Sequence, residues 1–223
     1  MLSLSLMILG VLIRKCTSFP WQCRLMDRLF LIFACAEMNV GFDDLYLVEL
    51  PDTFYEDVKL RDSRLTCTDS VRTRYVQEFN ADEVHRYCDF DHYVYYAATD
   101  KALATFVLPC RSCTHVLVTN GDNGYAPSFL RETVRQSADL AIVGFTHRNQ
   151  AQTPVLGVGG LDLGAVLMRV GVLDHGRRLF LSSLPVDAGP KEVHDADYWM
   201  VVNALERGLS FAVCKNQLLM YHN

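Results

Sequence analysis

The chain has no excess of positive charge, no repeat, no low-complexity tract and no apolar run long enough to span a bilayer. Its formal net charge is −5, so it lacks the cationic field that holds a phosphate backbone, and a nucleic-acid partner is disfavoured. The first apolar run, Leu2 to Ile13, falls short of the ~20 residues that a spanning helix needs. There is no P-loop, no GxGxxG after a strand and no GxSxG elbow, so kinase, Rossmann dehydrogenase and serine hydrolase chemistries lose their main warrants. Cys110-Arg-Ser-Cys113 has no second CxxC or Cys/His pair at zinc-ligand spacing to accompany it.

What is there is enough for a real core. The 223 residues are 50% apolar and 21% charged, which excludes disorder and suits one globular domain. Residues 1–42 read as an apolar N-terminal extension and 43–223 as the domain proper. The Leu2–Ile13 run reads as a signal or anchor core, or as following a start codon placed inside a longer or misassembled chain. Arg14 and Lys15 follow the run instead of preceding it, and Cys16-Thr17-Ser18 is a weak cleavage site. A signal or anchor implies the secretory pathway or the Golgi lumen, with membrane association through the N-terminus; otherwise the location is cytoplasmic. Leu29 to Ala36 reads as a buried strand or helix. Eight cysteines leave the redox compartment open, and Cys110 with Cys113 reads first as a structural disulfide or two buried thiols, with Cys67 or Cys88 as other partners. A redox pair or half a zinc site is the rival reading.

From Leu45 to Leu50 a strand is expected, ending at Pro51. Beyond His92 the pattern alternates. A strand is expected at Tyr93-Val-Tyr-Tyr96, a helix near 101–108 capped by Thr99 and Asp100, and a strand at His115 to Thr119. A helix opening at Pro127 and a strand at Leu140 to Gly144 follow. This rhythm predicts an α/β fold with a mainly parallel sheet covered by helices. Further on come a glycine loop at 157–160, a turn at 174–176, and a helix started by Asp195 or Asp197 and ended by Gly208. Two short strands, 209–213 and 218–221, close the chain.

The sharpest constellation is the strand Val116-Leu-Val-Thr119 running into Asn120-Gly121-Asp122-Asn123. Ligand sites in open α/β sheets gather at the carboxyl ends of strands. A carboxylate there, beside a flexible glycine, suits a hard cation that shares its remaining positions with water and a diphosphate. The competing reading is a hairpin turn, because Asn-Gly is the strongest short hairpin signal. Asp195 and Asp197 are each either a catalytic base or a helix N-cap.

Strand, Asx-x-Asp, helix, glycine-containing loop, an acid before a Tyr-led helix ending in Gly, and a late His together resemble the GT-A type glycosyltransferases. The resemblance covers roughly residues 92–223. It implies a GT-A-like, Rossmann-type mixed sheet flanked by helices, incomplete or divergent at the N-terminus, where the first 60 or so residues do not follow it. It implies donor binding by Asn120, Gly121, Asp122 and Asn123, with Asp122 and His222 holding Mn2+ or Mg2+ and the diphosphate. Gly159, Gly160 and Asp162 match the acceptor-side loop. Asp197, with Asp195 as substitute, matches the catalytic base, so the implied partners are a nucleoside diphosphate sugar and a hydroxyl acceptor on a glycan, protein or lipid. Two positions depart from the pattern: Asn120 replaces the first aspartate of Asp-x-Asp, and Ala196 replaces a glutamate. These departures support a rival reading, a catalytically silent relative. Tyr93, Tyr95 and Tyr96 read as pocket or sheet-packing residues, and His147 with Arg148 as diphosphate contacts or surface charge.

Overall fold

The computed structural model describes residues 67–222, apart from 91, 110–112, 121–122, 127, 148–149, 156, 158–159 and 175–178, and the backbone of three earlier strands. Those strands are β1 (Ile13–Lys15), β2 (Leu29–Cys35) and β3 (Asp44–Glu49). Six more follow: β4 (His115–Asn120), β5 (Asn123–Tyr125), β6 (Leu140–His147), β7 (Gln150–Gln152), β8 (Val166–Arg169) and β9 (Phe211–His222). The helices are α1 (Asp69–Glu78), α2 (Ala81–Tyr87), α3 (Tyr93–Ala102), α4 (Phe129–Val134), α5 (Val170–Asp174), α6 (Pro190–His194) and α7 (Ala196–Glu206). Short 3-10 turns cover Leu163–Ala165 and Leu181–Ser183. The fold is α/β, with one mixed sheet in the order β1-β3-β2-β4-β8-β6-β9-β5 and β7 beside β6.

The sheet is not mainly parallel, which corrects the expectation from the sequence. Only β6 and β9 pair in parallel; every other described pair is antiparallel. The cause lies in what strand-helix-strand rhythm fixes. β4 and β6 do run the same way, since each is antiparallel to β8, but β8 enters later in the chain and inserts between them. Alternation of elements sets the direction of successive strands and leaves their adjacency open.

The central strands are covered on both faces, and so they read as unbroken apolar runs. The two-residue pleat divides each run between two layers. Val116, Val118, Leu140, Ile142, Val166 and Met168 face a layer that holds Val84, Tyr93, Leu173, Val193 and Met200. Leu117, Ala141, Val143 and Leu167 face the opposite way, onto Phe129 and Leu130 of α4. Full burial of one such large side chain contributes about 1.5–3 kcal/mol. The pattern therefore fixes strand register firmly.

Three local expectations are also corrected. Residues 93–96 are helical: Tyr93, Tyr96 and Ala97 stack at helical spacing and are all buried, so tertiary packing overrides the strand preference of tyrosine. Asp100 therefore lies inside α3 and does not cap it. Its carboxylate instead accepts the Phe180 and Leu181 backbone N–H groups, each at 2.9 Å, and so caps the Leu181–Ser183 turn. The two closing strands are one, β9, whose register against β6 jumps from Val143↔Cys214 to Gly144↔Leu218; the bulge falls at the polar residues that separate the two apolar segments.

Other expectations hold. β3, β4 and β6 lie where the apolar patterns put them, and β2 covers the Leu29 run. α7 ends at Gly208, whose φ of +80° is the left-handed conformation that glycine adopts freely. One cysteine expectation is corrected: a Cys67–Cys88 disulfide ties the residue before the α1 cap to the end of α2, so these two pair with each other and not with Cys110 or Cys113. Pro127, the 175–176 part of the expected turn, and the run before residue 13 lie outside the described residues. Among the described residues no helix is long and apolar enough to cross a membrane.

Candidate functional site

The carboxyl end of β4 leads into a small polar network. The ladder between β4 and β8 stops at Leu117↔Leu167, so the last residues of β4 need other ties on that side. Buried Thr119 supplies one, accepting a hydrogen bond from Asn123 Nδ2 at 3.1 Å. The Tyr125 hydroxyl lies within hydrogen-bonding distance of both Thr119 Oγ1 and the Gly164 carbonyl oxygen, the latter at 3.0 Å. Asp162 Oδ1 accepts the Gly164 N–H at 2.9 Å and caps the Leu163–Ala165 turn. Gly164 has no room for a side chain: a Cβ there would lie 2.4 Å from Asn123 Nδ2, 2.9 Å from Tyr125 Oη and 3.2 Å from Asp162 Oδ1. Asn123 Oδ1 is buried with no hydrogen-bond partner.

The strand after the Asn-Gly turn does not make a hairpin with β4. β5 pairs with β9 in antiparallel register, which sets Asn123 opposite His222 and Tyr125 opposite Met220. The chain end and the Asn120–Asn123 motif are thus neighbours through their backbones. The side chains of Asn120 and His222, and the whole of Gly121 and Asp122, lie outside the described residues. Among the described residues, no group of three His, Cys, Asp or Glu side chains is placed to hold a metal ion.

The second half of the candidate site is the junction of α6 and α7. Asp195 occupies the N-cap position of α7 without making a capping bond; its Oδ1 pairs with His194 Nδ1 at 3.0 Å. Asp197 sits in the first helical turn and accepts the N–H of Tyr198 at 2.8 Å. Burial raises the Asp197 pKa to about 6, against the lowering effect of the Tyr198 N–H, and the charges of Asp162 and Asp195 raise it further. A helix N-terminus ordinarily favours a carboxylate, but desolvation here outweighs it. Above Asp197, the Tyr96 hydroxyl donates to the His194 carbonyl oxygen at 3.3 Å. Burial, then the Asp197 charge, pushes the Tyr96 phenol well above its ordinary range. The His92 ring meets the His194 ring edge-on at 4.4 Å.

Asp162 holds the Gly164 turn next to Asn123, and its charge raises the Asp197 pKa. Of the other glycine-loop residues, Gly160 closes a tight turn with Val155 and Gly157, and Gly159 lies outside the described residues. Tyr93 belongs to the core. Cys113 is buried and disulfide-bonded just ahead of β4, and Cys110 lies outside the described residues, as do Arg148 and the His147 side chain. The sequence passed over Thr119, Tyr125 and Gly164. Tyr125 precedes the helix expected from Pro127 and Gly164 follows the glycine loop at 157–160, so only the alternation Asn123-Gly-Tyr125 signals a short strand. No protein-family model matches the chain, nor does any curated protein or solved structure.

Proposed function

We propose that the chain is a metal-dependent glycosyltransferase of the GT-A type, moving a sugar from a nucleoside diphosphate to a hydroxyl acceptor. One observation carries the reading. Asn123 and Asp162, assigned by resemblance to the donor and the acceptor loop, meet at Gly164, the backbone of His222 lies beside Asn123, and the charge of Asp162 acts on Asp197, the residue assigned as base.

Asp122 and His222 would hold Mn2+ or Mg2+, with Asn120 and Asn123 completing the donor side. The unpaired, buried Asn123 Oδ1 is a hard oxygen at that place, in keeping with such a cation or a ligand hydroxyl. The metal's contribution is neutralisation of the charge that builds on the departing diphosphate. Asp197 removes the proton of the acceptor hydroxyl as that oxygen bonds the anomeric carbon and the bond from that carbon to the diphosphate breaks. A base that titrates near 6 is ionised at neutral pH yet more basic than an ordinary aspartate, a useful compromise for proton abstraction.

The test is release of nucleoside diphosphate from UDP-glucose, UDP-galactose, UDP-N-acetylglucosamine and GDP-mannose, with Mn2+ and with EDTA. The expected outcome is metal-dependent release from at least one donor. Binding without release from any donor would identify a silent relative, and neither binding nor release would overturn the reading.

A further inference from the structure

We infer that Tyr125 is a positioning residue for this reaction, its hydroxyl setting the donor motif at the end of β4 against the turn that carries Asp162. The inference rests on the glycosyltransferase reading above. β4 and β8 stop pairing at Leu117↔Leu167, two residues short of Thr119, so no backbone bond between these strands joins the donor end of β4 to the Leu163–Ala165 turn. The Tyr125 hydroxyl spans that gap, reaching Thr119 Oγ1 on one side and the Gly164 carbonyl on the other, 39 residues away in sequence. Gly164 in turn is held by Asp162, whose charge acts on Asp197.

Ring packing does not explain the hydroxyl. The Tyr125 ring rests edge-on against Phe129 with centroids 4.7 Å apart, and a phenylalanine would fill that place equally well. The oxygen makes the cross-link, and Thr119 shares its own oxygen with Asn123 Nδ2. Loss of the bridge leaves both halves present and lets them drift apart. Misalignment of about an ångström slows turnover without weakening donor capture.

The experiment measures kcat and KM for the nucleotide sugar that wild type turns over, in Tyr125→Phe, Thr119→Val and Thr119→Ser, with a thermal melt of each. The expected result is a kcat about 10–100-fold lower in Tyr125→Phe and Thr119→Val, with the donor KM within about twofold of wild type. Thr119→Ser, which keeps the hydroxyl, retains most of the rate. A purely structural role would shift the melt and the amount of active protein while leaving kcat per folded molecule unchanged, and that result overturns the inference. So does a raised KM at constant kcat, which would make the hydroxyl a donor-binding group. Absence of turnover in wild type on every donor fails the glycosyltransferase reading itself, and the inference falls with it.

Discussion

Two regions of this molecule hold an aspartate in an enclosed site, and they use it differently. Asp100, in the middle of α3, has both carboxylate oxygens engaged, one by the Phe180 N–H and one by the Leu181 N–H. Burial still raises its pKa to about 8, the two N–H groups lowering it only in part. Asp197, at the start of α7, is held by backbone N–H groups of its own turn, those of Tyr198 and Asp197 itself, and feels the charges of two further acids, Asp162 and Asp195. Both pKa values are raised chiefly by burial, so the shift does not tell a structural acid from a reactive one. The difference lies in what the oxygens touch. Asp100 is consumed in tying α3 to the turn before α6, whereas Asp197 bonds within its own helical turn and is the acid proposed as base.

Substitution should break this contrast most sharply. Asp197→Asn lowers kcat about 10²–10⁴-fold, the range of a lost general base, with little change in melting temperature; Asp100→Asn leaves kcat per folded molecule near wild type. Asp100→Ala acts instead on stability. It orphans two buried N–H groups at about 1–3 kcal/mol each, measured by urea unfolding. Gly164→Ala drives a methyl into Asn123 Nδ2 and costs about 1–3 kcal/mol as overpacking, with weaker nucleotide binding than the Tyr125→Phe variant. The pH effect comes last. Each carboxyl binds its proton more tightly when folded than at the ordinary value of 3.8, so each favours the folded state most at low pH. That contribution declines as pH rises, ending near 6 for Asp197 and near 8 for Asp100. Melts across this range should flatten between pH 6 and 8 in Asp100→Asn.

Much of this contrast was hidden in the sequence for identifiable reasons. The strands β4 and β6 were legible because runs such as Val116-Leu-Val are buried on both faces, and α7 because Gly208 ends it with a left-handed residue. The helix at Tyr93 was not, since four residues of alternating aromatic and aliphatic character satisfy either periodicity until the packing partner is known. Strand adjacency was not legible either, because β8 inserts between β4 and β6 from a distant part of the chain. At the candidate site, the roles proposed for Asn123, Asp162 and Asp197 rest on motif order. Tyr125 and Gly164 act through contacts made 39 residues apart, and no local spacing carries such a signal. Asp195 makes no side-chain capping bond, whereas Asp197 accepts a first-turn N–H, that of Tyr198, so the capping alternative loses its contact for Asp195 alone.

The proposed donor site after β4 is tested most directly by thermal denaturation with UDP and GDP, each with and without Mn2+, in wild type and in Asp122→Ala. Binding to the native state raises its stability by mass action. The account predicts a rise in melting temperature that needs both nucleotide and metal and is lost in Asp122→Ala. No rise with either nucleotide, or an equal rise in the variant, would contradict it.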